Sequence, residues 1–442
     1  MIMKYNNKEF NKSSLSTLNL SFESEESIRF INDLSDEIIK KIENSNKNKL
    51  KEALASLCAE MLEAAAICST QLISLPMGRG DFTGMDVGYR PCKNAIDGLR
   101  ALKYIEYIEG YCPISLKDPM KARTSRLKAK PMLIELAASY GITPLNWQEH
   151  FKARPWNGVV DEPLVLKARS KYINGFSWGG GTKVRGPKIE FDPLDSKALA
   201  IIRQVEEINL ALAPHDIQPA HWFRGFQRIF ALGTAHGYPW DKGGRLYAVG
   251  GGGYQQVNSD RRATMTFNDE PVAEIDIKAS HLTICHAMAG KPLNCPDPYA
   301  VPGIERAIVK KFVTITLGKG KPPRLWPDET KEKYAADEKT LGSDLQKDHP
   351  IGTVRKAVLK QLPLLAEIEA SPYNWADFQY AESQAIIEAV HTLTVRHGIP
   401  ALAVHDSIMI PVSQRDLAKA ILSDAFYKYV RITPILEVNN VS

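Results

Sequence analysis

Two acidic residues, Asp276 and Asp406, sit in surroundings that suit metal-assisted chemistry on phosphate. Val272–Ile277 alternates apolar and acidic residues, a strand pattern that places Glu274 and Asp276 on one side. A helix beginning near Ala279 follows, so Asp276 stands where a strand gives way to a helix. A carboxylate at such a junction is well placed for a metal ion facing phosphate. Asp406 belongs to His405–Asp406–Ser407, flanked by the apolar runs Ile399–Val404 and Ile408–Val412. Polar residues between two strand-like runs predict a tight β-hairpin whose turn lifts a carboxylate toward solvent or metal. Taken alone, this turn is equally well explained by the turn preference of Asp and Ser.

A third segment, Gly303–Lys321, supplies cations. Arg306 and Lys310 are four residues apart and share one helix face. Lys311 lies about 100° around the axis from Lys310. Two cations one turn apart can hold a triphosphate, although an isolated Arg-x-x-x-Lys is more often a solvated stripe. Two-metal chemistry on phosphate needs two carboxylates converging on two divalent ions roughly 3.5–4 Å apart. Mg2+ prefers oxygen ligands and keeps waters, which suits a site with few protein carboxylates.

In order, the three segments resemble motifs A, B and C of the superfamily that joins family A DNA polymerases to phage-type single-subunit RNA polymerases. The resemblance covers about residues 220–442 and does not reach the N-terminal half. It implies that Asp276 and Asp406 are catalytic ligands of Mg2+, with Mn2+ as an alternative. It implies that Arg306 and Lys310, with Lys311 beside them, bind the triphosphate, and that Lys310 protonates the leaving pyrophosphate. Gly244–Arg245–Leu246–Tyr247 resembles the segment that precedes motif A in the RNA branch, which puts Arg245 and Tyr247 near substrate. His405 and Arg245 then touch the primer end or template backbone. The helix Phe378–Val395, with Gln379, Glu382 and Ser383 near its start, also matches.

The chain departs from the family in two places. Gly318 and Lys319 stand where the family has Tyr then Gly, so the usual ribose-recognising ring is missing unless Tyr247 or Tyr254 replaces it. His281 stands where DNA polymerases carry a Glu gate against ribose. An imidazole there favours deoxynucleotides, whereas the His-Asp-Ser turn resembles the RNA branch, so the sugar stays open. Gly318–His349, rich in Lys, Pro and Asp, reads as an inserted fingers loop.

The N-terminal half suggests nucleic-acid contact. A helix carrying Ala95, Ile96, Leu99 and Leu102 on one side offers Arg90, Lys93 and Arg100 to solvent, and a short strand follows at Tyr104–Ile108. Six basic residues then fall between Lys117 and Lys130 against one Asp, among them Arg123, Arg126 and Lys128. Helix, strand, basic loop and the helix from Pro131 resemble a winged helix-turn-helix whose wing lies near phosphates. The plainer alternative is a helical scaffold with a solvated basic loop. The stripe Trp222, Phe223, Phe226 and Phe230 reads as helical core.

These elements assemble into an α+β chain: a right-hand polymerase palm and fingers behind a mainly helical N-terminal region. The expected division is a flexible arm (1–25), a winged-helix-like nucleic-acid-binding region (26–150), a connection (151–200) and the palm and fingers (201–442). A formal charge of +5 excludes a histone-like tail and fits local basic surfaces. No apolar run approaches the roughly 18 residues of a membrane span, and the N-terminus lacks a signal-peptide core. The six cysteines form no Cys-x-x-Cys pair, which predicts reduced thiols in a cytoplasmic protein. The expected function is template-directed nucleotidyl transfer from nucleoside triphosphates on a DNA or RNA template. The alternatives are a DNA-binding replication initiator with an inactive polymerase-like domain and, behind it, a metal-dependent phosphohydrolase or nuclease.

Overall fold

Leu50, Leu54, Leu57 and Met61 recur at three- and four-residue steps, and all four are buried along one long helix of the N-terminal half. The computed structural model describes residues 13–42, 46–78, 82, 85–111, 124–173, 182–184, 186–234, 236–249, 253–293 and 295–440. Helices and sheets are mixed throughout. The N-terminal half runs β1 (Ser14–Leu15), β2 (Leu20–Phe22), α1 (Glu25–Ile39), α2 (Lys47–Ile67), β3 (Ile73–Leu75), α3 (Tyr89–Ala101), β4 (Ile105–Ile108), β5 (Ser125–Ala129), α4 (Pro131–Ser139) and β6 (Phe151–Ala153). One sheet has the order β1-β3-β5-β4, and β2 pairs with β6. Its core gathers Phe30, Leu54, Ile96 and Leu127. A Cβ at Gly98 would lie 2.3 Å from Ile38 Cγ2, so only glycine lets α3 approach α1 this closely.

Residues 13–22, within the stretch expected to be an arm, carry β1 and β2. They are stitched to α2 by the buried Glu60 carboxylate. It accepts from the backbone N–H of Thr17 at 2.7 Å and of Leu18 at 2.8 Å, and from the Ser16 hydroxyl. Leu18 and Leu20 add buried apolar contacts, but the polar composition of the segment hid an arrangement that the Glu60 side chain helps to hold.

The C-terminal half begins before residue 200. The stretch expected to be a connection supplies β7 (Leu164–Ala168), the hairpin β8 (Lys171–Ile173) and β9 (Thr182–Val184), and β10 (Lys188–Ile189). Helix α5 (Ser196–Leu212), β11 (Ile217–Gln218), β12 (Phe226–Gly233) and β13 (Gly243–Ala248) follow. Strands β10, β7, β12 and β13 build a four-stranded sheet in that order, with β7 and β12 parallel. The aromatic stripe is core but not helical. Phe226 and Phe230 lie four apart on β12, a spacing that a period of two satisfies as well as a helix does.

The second sheet holds β11, β14 (Thr266–Phe267), β15 (Glu270–Ile277), β16 (Leu402–Val404), β17 (Ser407–Pro411) and β18 (Leu436–Asn440), with β11 paired to β14 and β15 to both β17 and β18. Between β15 and β16 lie α6 (Ser280–Met288), α7 (Arg306–Lys319), α8 (Asp328–Ala336), α9 (Ile351–Gln361) and α10 (Trp375–His391), and α11 (Arg415–Val430) precedes β18. The segment expected to be an inserted loop is largely helical and packed. Trp326, Tyr334 and Leu345 are buried in the main core. Three apolar anchors spaced by charged turns outweigh its polar composition. Across the two halves, Asn19 donates to the His221 carbonyl at 2.8 Å, and Glu63 lies 3.2 Å from His221 and 3.5 Å from Arg261. Among the described residues no helix is long and apolar enough to cross a membrane.

Candidate functional site

Asp276 lies on the central strand β15. There Val272, Ala273, Ile275 and Ile277 are buried, while Glu274 and Asp276 point to the half-exposed face. The strand pairs antiparallel with β17, with Asp276 opposite Ser407. The turn His405–Asp406 joins β16 to β17, and Val404 pairs directly with Ser407. This is the two-residue hairpin the apolar runs predict. His405 takes φ +54°, a left-handed conformation that His tolerates better than bulky residues do. The N–H of Ile277 donates to the carbonyl of Asp406 at 3.1 Å. The fold therefore brings Asp276 and Asp406 onto neighbouring chain segments.

The two carboxylates feel each other. Burial, then the charges of Glu382 and Asp276, push the Asp406 carboxyl up to about 7 against the pull of Arg245. Burial and the carboxylates of Glu274 and Glu437 also raise Asp276, while Lys310 lowers it. Glu274 is already committed. Arg262 holds it with two N–H groups at 3.0–3.2 Å, and Ser407 Oγ donates to it at 2.6 Å. No side chain among the described residues donates a hydrogen bond to Asp276 or Asp406. Two neighbouring carboxylates that accept from no side chain among the described residues form a place where a divalent cation would lower the energy of both.

Beneath them lies an ion pair. Gly243 and Gly244, at φ +79° and +78°, start β13 in a conformation that side chains rarely adopt. Their carbonyls accept from Ser383 Oγ at 3.0 Å, which fixes β13 to α10, and from Arg228 Nε of β12 at 2.8 Å. Arg245 then reaches Glu382, with its Nε 2.8 Å from the carboxylate. Glu382 is fully buried and also accepts from Ser280 Oγ at 2.7 Å. Despite burial, Arg245, His281 and Ser280 hold its carboxyl below the ordinary range. His281 Nε2 lies 3.3 Å from the same carboxylate, and burial, only partly offset by Glu382, keeps the imidazole pKa low. Tyr247, two residues beyond Arg245 on the same strand face, is half-buried. Tyr254 is fully buried and donates to the Ala403 carbonyl at 2.5 Å, so it is part of the core and does not stand in for the missing ring.

No protein-family model matches this chain, and no curated protein matches it.

Opposite the carboxylates, α7 presents Arg306 and Lys310, both exposed, on one face. Arg306 is held by Asp297 at 2.7 Å and rests over the Tyr299 ring at 5.4 Å. The Tyr299 hydroxyl is pushed up to about 12 by burial and the nearby Asp406 charge. Lys311 turns to the Tyr334 ring at 5.5 Å instead of sharing the face of Lys310, as a 100° offset requires. Gly318 is exposed with open space around it, so no ring occupies that position. His405 stands at the turn with much of its surface open to solvent, while the groups around its ring, through desolvation and then Arg245, lower its imidazole pKa.

The basic residues of the N-terminal half lie elsewhere. Arg90, Lys93 and Arg100 are exposed on α3, opposite the buried Cys92, Ala95, Ile96 and Leu99. Asp97 sits among them, pairing with Lys93 and lying 3.9 Å from Arg100. Arg126 on β5 is half-buried and donates to the carbonyls of Thr124 and Ser125 at 3.0 and 3.2 Å. Lys128 lies 3.8 Å from Glu106. Arg123 and the tip of the basic loop lie outside the described residues. Among the described residues no group of three or more His, Cys, Asp or Glu is arranged to hold a metal ion. Asp276 and Asp406 are the residues that could hold a divalent ion at the hairpin, as two ligands only.

Sequence reasoning gave Glu382 no role and did not single out Glu437 or Tyr299. Glu437, opposite Asp276 on β18, and Tyr299 are brought in by pairing and packing from afar. The buried acidic residue in the apolar helix α10 was the one available signal, since such a residue needs a partner.

Proposed function

We propose that the chain is a template-directed nucleotidyltransferase, a nucleic acid polymerase. The carrying observation is the pairing of β15 with β17, which sets Asp276 beside the hairpin turn that holds Asp406, with Lys310 acting on Asp276 from α7. The antiparallel β15–β17 pair would be the floor of a palm, and α7 a fingers helix. The donor set fits Mg2+ or Mn2+: hard carboxylate oxygens, no competing side-chain donor among the described residues and room for waters. When bound, the ions supply a more acidic attacking hydroxyl and charge neutralisation on the leaving pyrophosphate.

The chain's own residues do the rest. Asp276 and Asp406 fix the reacting centre between two strands that cannot slide without losing register. Lys310 Nζ faces the phosphates and gives its proton to pyrophosphate as it leaves. Arg306 grips the outer phosphates as a planar fork once it lets go of Asp297. Glu382 holds Arg245 flat, so that its guanidinium and Tyr247 present a fixed polar surface to a primer or template strand. His281, packed against Phe378 at 6.3 Å, borders the same surface and is the candidate for sugar discrimination.

The N-terminal half supports nucleic-acid contact through Arg90, Lys93 and Arg100. The strand order β3-β5-β4 around α3 accords with a winged helix whose strands lead into the basic loop. The exposed, ring-free Gly318 favours a second reading, an initiator whose polymerase-like half has lost activity. Extension of a primed template with four dNTPs or four NTPs in Mg2+ tests the proposal. Incorporation of either set supports it. Tight, salt-sensitive DNA binding with no incorporation in Mg2+ or Mn2+ would establish the initiator reading instead.

A further inference from the structure

Arg228 is a buried cation with no anionic partner among the described residues. It is 2% exposed, beneath the sheet of β12 and β13 and against α5 and α10. Three of its five N–H groups find acceptors, all of them neutral: the Gly244 carbonyl at 2.8 Å, Gln204 Oε1 at 3.4 Å and Gln384 Oε1 at 3.3 Å. Its guanidinium also lies 4.9 Å from the Phe230 ring centroid. Burial pulls it down to about 10, so it stays charged at neutral pH, and no carboxylate among the described residues offsets that charge. A buried charge without a counter-charge is costly, and folds pair such groups or supply a ligand.

Arg228 does not face a closed core. It lines an open groove of about 380 Å³ between α5 and α10, together with Arg203, Gln204, Glu207, Gln384 and His391. The groove is separate from the carboxylate site. Arg228 and Arg245 alternate in register on neighbouring strands and so leave opposite faces of the sheet. They reach Gln384 and Glu382, two residues apart and therefore on opposite sides of α10. Glu207 is occupied by His391 at 2.8 Å, which leaves Arg203 and Arg228 as the cations facing the opening. Two guanidinium groups line this open groove beside two amides and a carboxylate already paired with His391, and guanidinium groups are strong partners for oxyanions.

We propose that this groove is a binding site for a phosphate-class oxyanion, which supplies the counter-charge that Arg228 lacks. The same chemistry serves a free phosphate and the phosphodiester of a nucleic-acid strand. The site is independent of the polymerase reading.

The test is calorimetric titration of the full chain with inorganic phosphate against chloride at matched ionic strength. Two exposed substitutions keep folding out of the answer. Arg203→Ala weakens phosphate binding by about fivefold, and Glu207→Gln, by removing a competing negative charge, strengthens it by about twofold. Arg228→Gln abolishes it, with circular dichroism as the folding control. If a short single-stranded oligonucleotide displaces the phosphate, the source is a strand; if it does not, the source is a free phosphate. Absence of phosphate binding by the parent, or binding indifferent to both Arg203→Ala and Glu207→Gln, overturns the proposal.

Discussion

Asp276 and Asp406 lie on neighbouring segments of one ladder, because Asp276 pairs with the residue that follows Asp406. Burial, then the charges of Glu382 and Asp276, raise the Asp406 carboxyl, which has a consequence for pH. The Asp406 carboxyl titrates near 7 in the folded chain and near 3.9 when unfolded. A group raised in this way contributes stability that is fully present below about pH 4 and lost as pH rises through about 7. Metal-free protein therefore loses on the order of 2 kcal/mol between pH 5 and 8 through this group, and Asp406→Asn removes that loss. Urea denaturation of both proteins across that range checks it. Mg2+ is expected to stabilise the parent more at pH 8 than at pH 6, since the carboxylate form is the ligand.

Arg306 is parked on Asp297. Breaking an exposed pair of this kind is worth about 0.2–1 kcal/mol. Asp297→Asn is expected to lower KM for the incoming triphosphate by up to about fivefold, and Arg306→Ala to raise it. Steady-state incorporation kinetics read both. An unchanged KM in Asp297→Asn would show that Arg306 does not move to the phosphates.

Removing Glu382 leaves Arg245 nearly buried without its partner. Such a loss costs about 3–5 kcal/mol. Glu382→Ala is expected to show it in thermal unfolding, and the double variant Arg245→Met/Glu382→Leu to recover most of it. Activity stays absent in the double variant if the guanidinium contacts the primer or template.

Charge removal on α3 tests the N-terminal half. The triple variant Arg90→Ala, Lys93→Ala, Arg100→Ala is expected to weaken DNA binding and to reduce the salt slope by about 0.9 for each phosphate that the helix no longer neutralises. Fluorescence anisotropy at several salt concentrations reads the slope. An unchanged slope would remove α3 from the interface.

Much of the carboxylate site was legible because its parts are local. The alternation at 272–277 and the apolar runs around His405 each follow from a period of two, and both strands are present. Pairing across long separations was not legible. Nothing in β13 or α10 alone says that Arg245 meets Glu382 across 137 residues. The orientation of Lys311 followed from helix geometry, but its partner Tyr334 lies in a segment whose polar composition masked three buried anchors. The early strands were missed for a related reason: Leu18 and Leu20 are buried in the core, but the hydrogen bonds to Glu60 that fix the segment leave no trace in a hydrophobic pattern.

The most direct measurement compares primer extension by the parent, Asp276→Ala and Asp406→Ala in Mg2+, with labelled dNTPs and NTPs side by side. The account predicts incorporation by the parent and a loss on the order of a thousandfold or more in each variant, in the range set by groups that act only in the transition state, with both variants folded. Extension by either variant at the parental rate would contradict it.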